Sequence, residues 1–365
     1  MTSGRACILF TGYAPVHYVC FRPIHERLIA RGDVDVFVSG GLRHESDEGT
    51  EHDARALYEG FGIASDRILG VEEIQDRSFD LLFAANTQVI RPRRAGAVVQ
   101  LFHGVSFRNR AIRPDGLSCD GFFLIGPYMQ RRFDELGLLA RDDRRGIPIG
   151  FPKTDPVVRG DLDRAVAGRR FGLSGERPVV VYAPTGAKHN SLDNMGREVI
   201  ERRDRSGRFD VLVKLHDHPK RGLADYTRLV QSLEGERVKV ARDPDVIPAL
   251  AASDLLLSDA SSVSNEYTLL DRPIVYLDVP RLLDRAREAK DSALDLETWG
   301  RRGGVVVTRP EEVVGAVEQS LAEPDRHGAV RRQIAADLFF NPGRATDAAA
   351  AWIGEFLGSP VAGTR

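Results

Sequence analysis

Four places in this chain put groups able to bind anions or move protons directly after short apolar runs. They are His103-Gly104, Thr185-Gly186, Lys214-Leu-His216 and the polar turn Ser258 to Ser262. A histidine can take a proton from a hydroxyl near neutral pH, and a following glycine lets a second substrate approach the backbone. A lysine and an imidazole together suit a diphosphate, and a Thr-Gly turn offers N–H and hydroxyl donors to phosphate. Ser261 or Ser262 is a good N-cap for a helix that continues through about Leu270, and a helix start with hydroxyl residues is an anion site. Glu266 follows within the first turns, where a carboxylate suits ribose hydroxyls. Together these groups point to a nucleotide diphosphate at the carboxyl edge of a sheet. Each also has a plainer reading: capping serines, hydrogen-bonded histidines at strand ends, a surface lysine. His17, in the turn after the first apolar run, is either a substrate contact or a hydrogen-bonded loop histidine. His216 and His218 have metal-pair spacing but no third ligand with a clear place beside them.

The elements that must position these groups read as alternating strands and helices. In the first half, strands are expected at Ala6–Phe10, Val34–Val38, Leu81–Ala84, Ala97–Phe102 and Gly121–Ile125. Helices are expected over Tyr18–Arg31, Glu51–Phe61 and Tyr128–Leu136. In the second half, strands are expected at Pro178–Ala183, from Phe209 through Lys214 and His216, at Val238–Ala241, Leu255–Leu257, Ile274–Leu277 and Gly304–Val307. Lys214 and His216 then fall on one side of an alternating strand. Helices are expected over Met195–Arg203, Ala249–Ser253, Arg281–Asp291, Pro310–Leu321 and Asp347–Leu357, with a frayed tail from Ser359 to Arg365. This rhythm is that of an α/β protein with parallel sheets. The Gly/Pro-rich run Ile147 to Lys153 marks the linker. It divides the chain into residues 1–155, a Rossmann-like acceptor-side domain, and 156–335, a Rossmann-like donor-binding domain. Residues 336–365 form a C-terminal helix and tail expected to pack back on the first domain. No G-x-G-x-x-G fingerprint is present, so a dinucleotide is not implied.

Composition sets further bounds. The chain has 365 residues, 42% hydrophobic and 28% charged, enough for two folded domains. Its formal net charge is -2, which argues against a general nucleic-acid partner. Short basic runs such as Arg108-Asn-Arg110, Arg131-Arg132 and Arg144-Arg145 are either solvated surface or a face toward an anionic acceptor or membrane. Cys7, Cys20 and Cys119 lack paired spacing, so no disulfide framework or zinc pattern is read. No apolar run approaches the roughly 20 residues of a membrane span, and Ala6 to Phe10 is too short for a signal peptide. The expectation is a cytoplasmic protein, or one peripheral to the inner face of the membrane.

Several motifs resemble, in order, those of the CDP-glycerol glycerophosphotransferase family. They are His103-Gly104, Tyr182-Ala-Pro-Thr185, Lys214-Leu-His216, Ser258-Asp259-Ala-Ser261-Ser262-Val and Leu270-Asp-Arg-Pro-Ile-Val275. Asn341-Pro-Gly-Arg344-Ala-Thr is similar to an Asp-Gly-Lys-Ala-type element near that family's C-terminus. After His-Gly this chain departs from the family's Thr-Pro, with Val105-Ser106. The resemblance implies a GT-B fold, two Rossmann-like domains facing a cleft, and transfer of glycerol phosphate or a related polyol phosphate from a CDP-alcohol, without a cofactor. The implied acceptor is a polyol-phosphate, glycan or lipid-linked hydroxyl, in teichoic-acid or capsule synthesis. By the resemblance His103 is the general base and His216 its catalytic companion. Gly104, Thr185, Lys214, Ser258, Asp259, Ser261, Ser262, Glu266, His17 and Arg344 are the expected substrate contacts. Two other readings are carried. A nucleotide-sugar transferase or UDP-GlcNAc 2-epimerase uses a similar helix start, although Asn265 stands here beside Glu266 in place of a second glutamate. A non-catalytic nucleotide-binding partner would bind ligand without turnover.

Overall fold

The structure is a computed structural model describing residues 5–46, 49–85, 89–112, 118–196, 198–201, 207–216, 223–289 and 292–358. The chain divides into two compact units. The first comprises Met1–His103, Ala111–Asp155 and Phe339–Arg365; the second comprises Gly104–Arg110 and Pro156–Leu338. His218 and the tail Ser359 to Arg365 lie outside the described residues, as do parts of the helices expected over Met195–Arg203 and Arg281–Asp291.

The first unit contains β1 (Ala6–Gly12), β2 (Val34–Gly40), β3 (Leu42–Ser46), β4 (Gly49–Asp53), β5 (Ser78–Ala84), β6 (Arg94–Leu101), β7 (Gly121–Leu124) and β8 (Gly146–Pro148). Six of these make a parallel sheet in the order β2-β1-β5-β6-β7-β8. β3 and β4 pair antiparallel as a separate hairpin. The chain winds outward from β1 to β2 and resumes at β5 on the other side, so the winding direction reverses between β1 and β5. Helix Pro15–Arg31 begins three residues before its expected start, because Pro15 occupies its first turn where a missing N–H costs nothing. It ends at Gly32, whose φ of 71° is a left-handed cap. Its buried face, with Tyr18, Phe21, Ile24 and Leu28, meets Phe10 and Phe83 of the sheet. Phe10 stacks on both Phe21 and Phe83, at 4.8 and 4.9 Å between ring centroids. Helix Ala345–Phe356 belongs to the same unit, and its first N–H groups, from Ala345 and Thr346, donate to the buried Asp155 carboxylate.

The second unit contains β9 (Val179–Ala183), β10 (Asp210–Val213), β11 (Val238–Val240), β12 (Leu255–Ser258), β13 (Ile274–Leu277) and β14 (Val305–Val307). They form one parallel sheet in the order β11-β10-β9-β12-β13-β14. β9, β10, β12 and β13 are buried along their whole length, which explains why they read as continuous apolar runs rather than alternating ones. The winding reverses between β9 and β12, and a doubly wound sheet binds ligands at the carboxyl end of such a switch point. The strand carrying Lys214 ends at Val213, so Lys214 and His216 lie in the turn beyond it and strict alternation does not apply to them. Among the described residues no helix is long and apolar enough to cross a membrane.

Candidate functional site

The carboxyl edge of the second sheet is organised by Asp259. β9 and β12 end in register, Ala183 opposite Ser258, and the Ser258 hydroxyl donates to the Ala183 carbonyl at 2.6 Å. Asp259 follows with 0% exposure. Its Oδ1 accepts from the backbone N–H groups of Thr185 (2.9 Å) and Ala260 (2.6 Å). Its Oδ2 accepts from the N–H (2.9 Å) and hydroxyl (2.8 Å) of Ser191. Tyr182, fully buried, shares a hydrogen bond with the same Ser191 hydroxyl at 2.8 Å. Asn190 closes the loop by donating to the Thr185 carbonyl at 2.8 Å. Ser258 and Asp259, expected as substrate contacts, are fully buried and engaged by protein groups, and they shape the turn that presents Thr185.

Other expected residues gather around that turn. Lys214 donates its backbone N–H to the Tyr182 carbonyl at 2.9 Å, which fixes it at the end of β9. Its side chain is 5% exposed and its Nζ donates to the Leu215 carbonyl at 2.8 Å. His216 is exposed and its ring lies over Gly186, where a Cβ would come within 2.5 Å of the imidazole. Only glycine at 186 lets this imidazole rest on the Thr-Gly turn. Ser261 and Ser262 precede helix Val263–Tyr267, which has five residues and continues as a tighter turn over Thr268–Leu270. Ser262 is the N-cap by position, but its hydroxyl makes no capping bond. So short a helix carries little dipole, and the expected anion site depends on side chains more than on the helix end. Glu266 is 2% exposed, its Oε1 3.9 Å from where a Cβ on Gly104 would lie.

Gly104 to Arg110 belongs to this second unit and is fastened to it at several points. Asn265 Nδ2 donates to the Val105 carbonyl (2.9 Å), and the Asp295 N–H to the Phe107 carbonyl (2.7 Å). Asn109 Nδ2 donates to the Ala293 carbonyl (2.9 Å). The Phe107 ring is buried with Ala260, Val279, Leu282 and Leu283. Gly104 has φ of 155°, and a Cβ there would lie 3.0 Å from the Ser262 hydroxyl, so both backbone and space favour glycine. Arg108, read from sequence only as part of a basic run, is the residue that reading missed. It is half-buried, and its guanidinium donates to Thr185 Oγ1 at 2.9 Å. Burial lowers its pKa from the ordinary guanidinium value, the nearby Asp259 charge opposes that shift, and Arg110 adds to it. No sequence signal distinguishes it, beyond its place five residues after His103.

The first unit places its two expected histidines together. His103 is exposed, two residues beyond β6. His17 lies in the first turn of helix Pro15–Arg31, not in a loop, and is 3% exposed. Its Nδ1 accepts from the Tyr13 N–H at 3.1 Å, which leaves the neutral ring's proton on Nε2. The two imidazole centroids are 5.4 Å apart, tilted by 51°. Arg344 also belongs to the first unit. It is exposed at the N-cap of helix Ala345–Phe356, after a turn held by Phe340 N–H on the Ile125 carbonyl and Asn341 Nδ2 on the Pro148 and Ile149 carbonyls.

A family model described as CDP-glycerol:poly(glycerophosphate) glycerophosphotransferase matches residues 128–349, more than half of the chain. The chain belongs to this glycerophosphotransferase family. The match includes Thr185, Lys214, His216, Ser258 to Ser262, Glu266 and Arg344, and begins after His103-Gly104. A relative is the teichoic acid glycerol-phosphate primase of Bacillus spizizenii, 27% identical over 169 residues, covering 46% of this chain and 39% of the primase. The same organism's teichoic acid ribitol-phosphate primase is 28% identical over 154 residues, 40% of this chain and 38% of that protein. The matches thus span about two fifths of these curated relatives. Among solved structures, the wall teichoic acid polymerase TagF soaked with CDPG superposes with a TM-score of 0.68 at 15% identity, covering 97% of this chain and 89% of that one. UDP-GlcNAc 2-epimerase from Neisseria meningitidis, bound to UDP-GlcNAc, reaches 0.57 at 14% identity, over 96% of this chain and 99% of that one. These two likenesses show the fold of this family member, the GT-B type of α/β architecture with two Rossmann-like sheets.

Proposed function

We propose that the chain transfers glycerol phosphate, or a related polyol phosphate, from a CDP-linked donor to an acceptor hydroxyl and releases CMP, in the synthesis of a cell-wall or capsule polymer. The observation that carries this reading is the gathering of Thr185, Lys214 and His216 at the switch point of the second sheet, within the stretch the family model matches. The soaking of TagF with CDPG supports a CDP-linked donor. In this reading an acceptor oxygen forms a bond to the phosphorus carrying glycerol, the bond from that phosphorus to the oxygen of CMP breaks, and His103 takes the acceptor's proton. Such a displacement needs positioning and charge stabilisation more than a covalent protein intermediate. Thr185, Lys214, His216, Ser261 and Ser262 are assigned to the diphosphate, where His216 steadies the charge that develops on the leaving phosphate. Glu266 is assigned to the ribose hydroxyls, and His17 to orienting His103. The acceptor is a polyol-phosphate, glycan or lipid-linked hydroxyl. The exposed pairs Arg93-Arg94 and Arg169-Arg170 suit work at the cytoplasmic surface of a membrane.

The test is calorimetric binding of CDP, CMP, UDP and UDP-GlcNAc, followed by a transfer assay with CDP-glycerol. Preference for CDP and release of CMP is the expected result. Preference for UDP or UDP-GlcNAc would replace this reading with a sugar transferase or an epimerase.

A further inference from the structure

A guanidinium drawn partly out of water without a carboxylate bonded to it is costly, and Arg108, half-buried with its Nε inside the fold, is such a group. Among the described residues its one hydrogen bond goes to the neutral Thr185 hydroxyl, and its Nε is buried without an acceptor. The nearby carboxylate is Asp259, whose two oxygens already receive four other donors. The Asp259 charge therefore offsets the burial of Arg108 only in part, and a cation withdrawn from water gains from an anionic partner. Thr185 carries a matching vacancy. Its N–H and carbonyl are engaged by Asp259 and Asn190 and its Oγ1 accepts from Arg108, while no acceptor among the described residues takes the hydroxyl's own proton. A charged N–H group and an O–H group thus lie 2.9 Å apart at the switch point, both with donor capacity left over. Phe107 before Arg108 is buried and bonded through its carbonyl, and Asn109 after it is bonded through its amide.

We propose that Arg108 and Thr185 form the anion clamp of the donor site, Arg108 supplying the countercharge for a diphosphate and Thr185 donating its hydroxyl proton to a phosphate oxygen. The clamp rests on the phosphotransferase reading for the identity of the nucleotide, but not for its preference for a diphosphate. It also gives the departure from the family's Thr-Pro after His-Gly a setting. The strap that begins at Gly104, the residue after the proposed base, carries the clamp's cation.

The experiment uses the full chain and two probes, inorganic pyrophosphate and CDP, with CMP as the single-phosphate control. Arg108→Met keeps the length of the side chain and removes its charge. Loss of a charge-assisted hydrogen bond should weaken CDP and pyrophosphate by about 10- to 100-fold and CMP by less than about threefold. The ligand-free melting temperature of R108M should stay level or rise, because a cation whose burial is only partly offset has been removed. If wild type binds CDP and R108M binds it equally well, the clamp is wrong while the phosphotransferase reading stands. If wild type binds pyrophosphate through Arg108 but shows no preference for CDP, the clamp stands and that reading falls. If wild type binds neither probe, both are overturned. Should R108M not fold, the wild-type Nε–H resonance of Arg108, assigned by its loss in Arg108→Lys, decides. A shift of that resonance on adding pyrophosphate supports the clamp, and an unchanged resonance overturns it.

Discussion

The two units are built on the same six-stranded parallel plan, yet they handle their carboxyl edges in opposite ways. In the second unit the edge is tied together: one carboxylate, Asp259, receives four donors and fixes the Thr185 turn, and a strap from earlier in the sequence is bonded down beside it. In the first unit the edge presents a group to solvent, with an exposed His103 beside a buried His17. Their cores differ in the same sense. Phenylalanine rings stack through the first, whereas the second is mainly valine and leucine. A site that must hold a polyanion gains from preorganised donors, while a group that must exchange a proton gains from access to solvent and substrate.

Removing the tie should have the largest effect. Asp259→Ala leaves four buried donors without an acceptor and should cost about 3–5 kcal/mol of stability, with loss of nucleotide binding. Denaturant unfolding checks it, and a cost below about 1 kcal/mol would mean that the loop holds itself. His103→Ala probes the first unit's edge and should behave in the reverse way. Transfer should fall by about 10²–10⁴-fold while the melting temperature and CDP affinity stay near wild type. A large loss of CDP affinity in that variant would erase the contrast between the edges.

Acid should weaken the first unit through His25. His25 is 2% exposed, and burial pushes its pKa down to about 4, an effect only partly opposed by Glu26. The unfolded chain then binds a proton that the folded chain refuses, so stability falls as pH drops from about 6.5 and levels off near 4. The loss approaches about 3 kcal/mol at the lower end. Comparing wild type with His25→Gln across that range tests this; identical pH dependence in the two proteins would remove His25 as the cause. The smallest effect is expected at Gly104→Ala, about 1–2 kcal/mol, from a positive φ and contact with Ser262. Unfolding and transfer rates should both register it, and a neutral result would show that the strap can shift without penalty.

The sheets were the legible part of the sequence. β9, β12 and β13 announce themselves as apolar runs because parallel strands covered on both faces have no solvent side to mark. The hairpin of β3 and β4 was not legible: its residues are polar, and Asp53 starts a helix at Ala54, inside the segment expected to be helical from Glu51. At the site, motif spacing brought out Thr185, Lys214 and His216. It could not tell which polar residues face outward, and Ser258 and Asp259 turn inward because their partners, Ala183 and Ser191, are about 70 residues distant in sequence. Arg108 was hidden for the same reason, since its meaning depends on Thr185, 77 residues away.

One contact in the first unit bears on how the chain is made. Asp155 caps helix Ala345–Phe356 through N–H groups 190 and 191 positions further along. On a ribosome, the second unit has all its residues available once Leu338 has emerged, whereas the first must wait for the helix that Asp155 holds. Of the two units, the one whose first residues emerge earlier is thus the later to be completed. During that interval the stacked phenylalanines of the first unit lack part of their cover, which gives a nascent-chain chaperone its longest opportunity there.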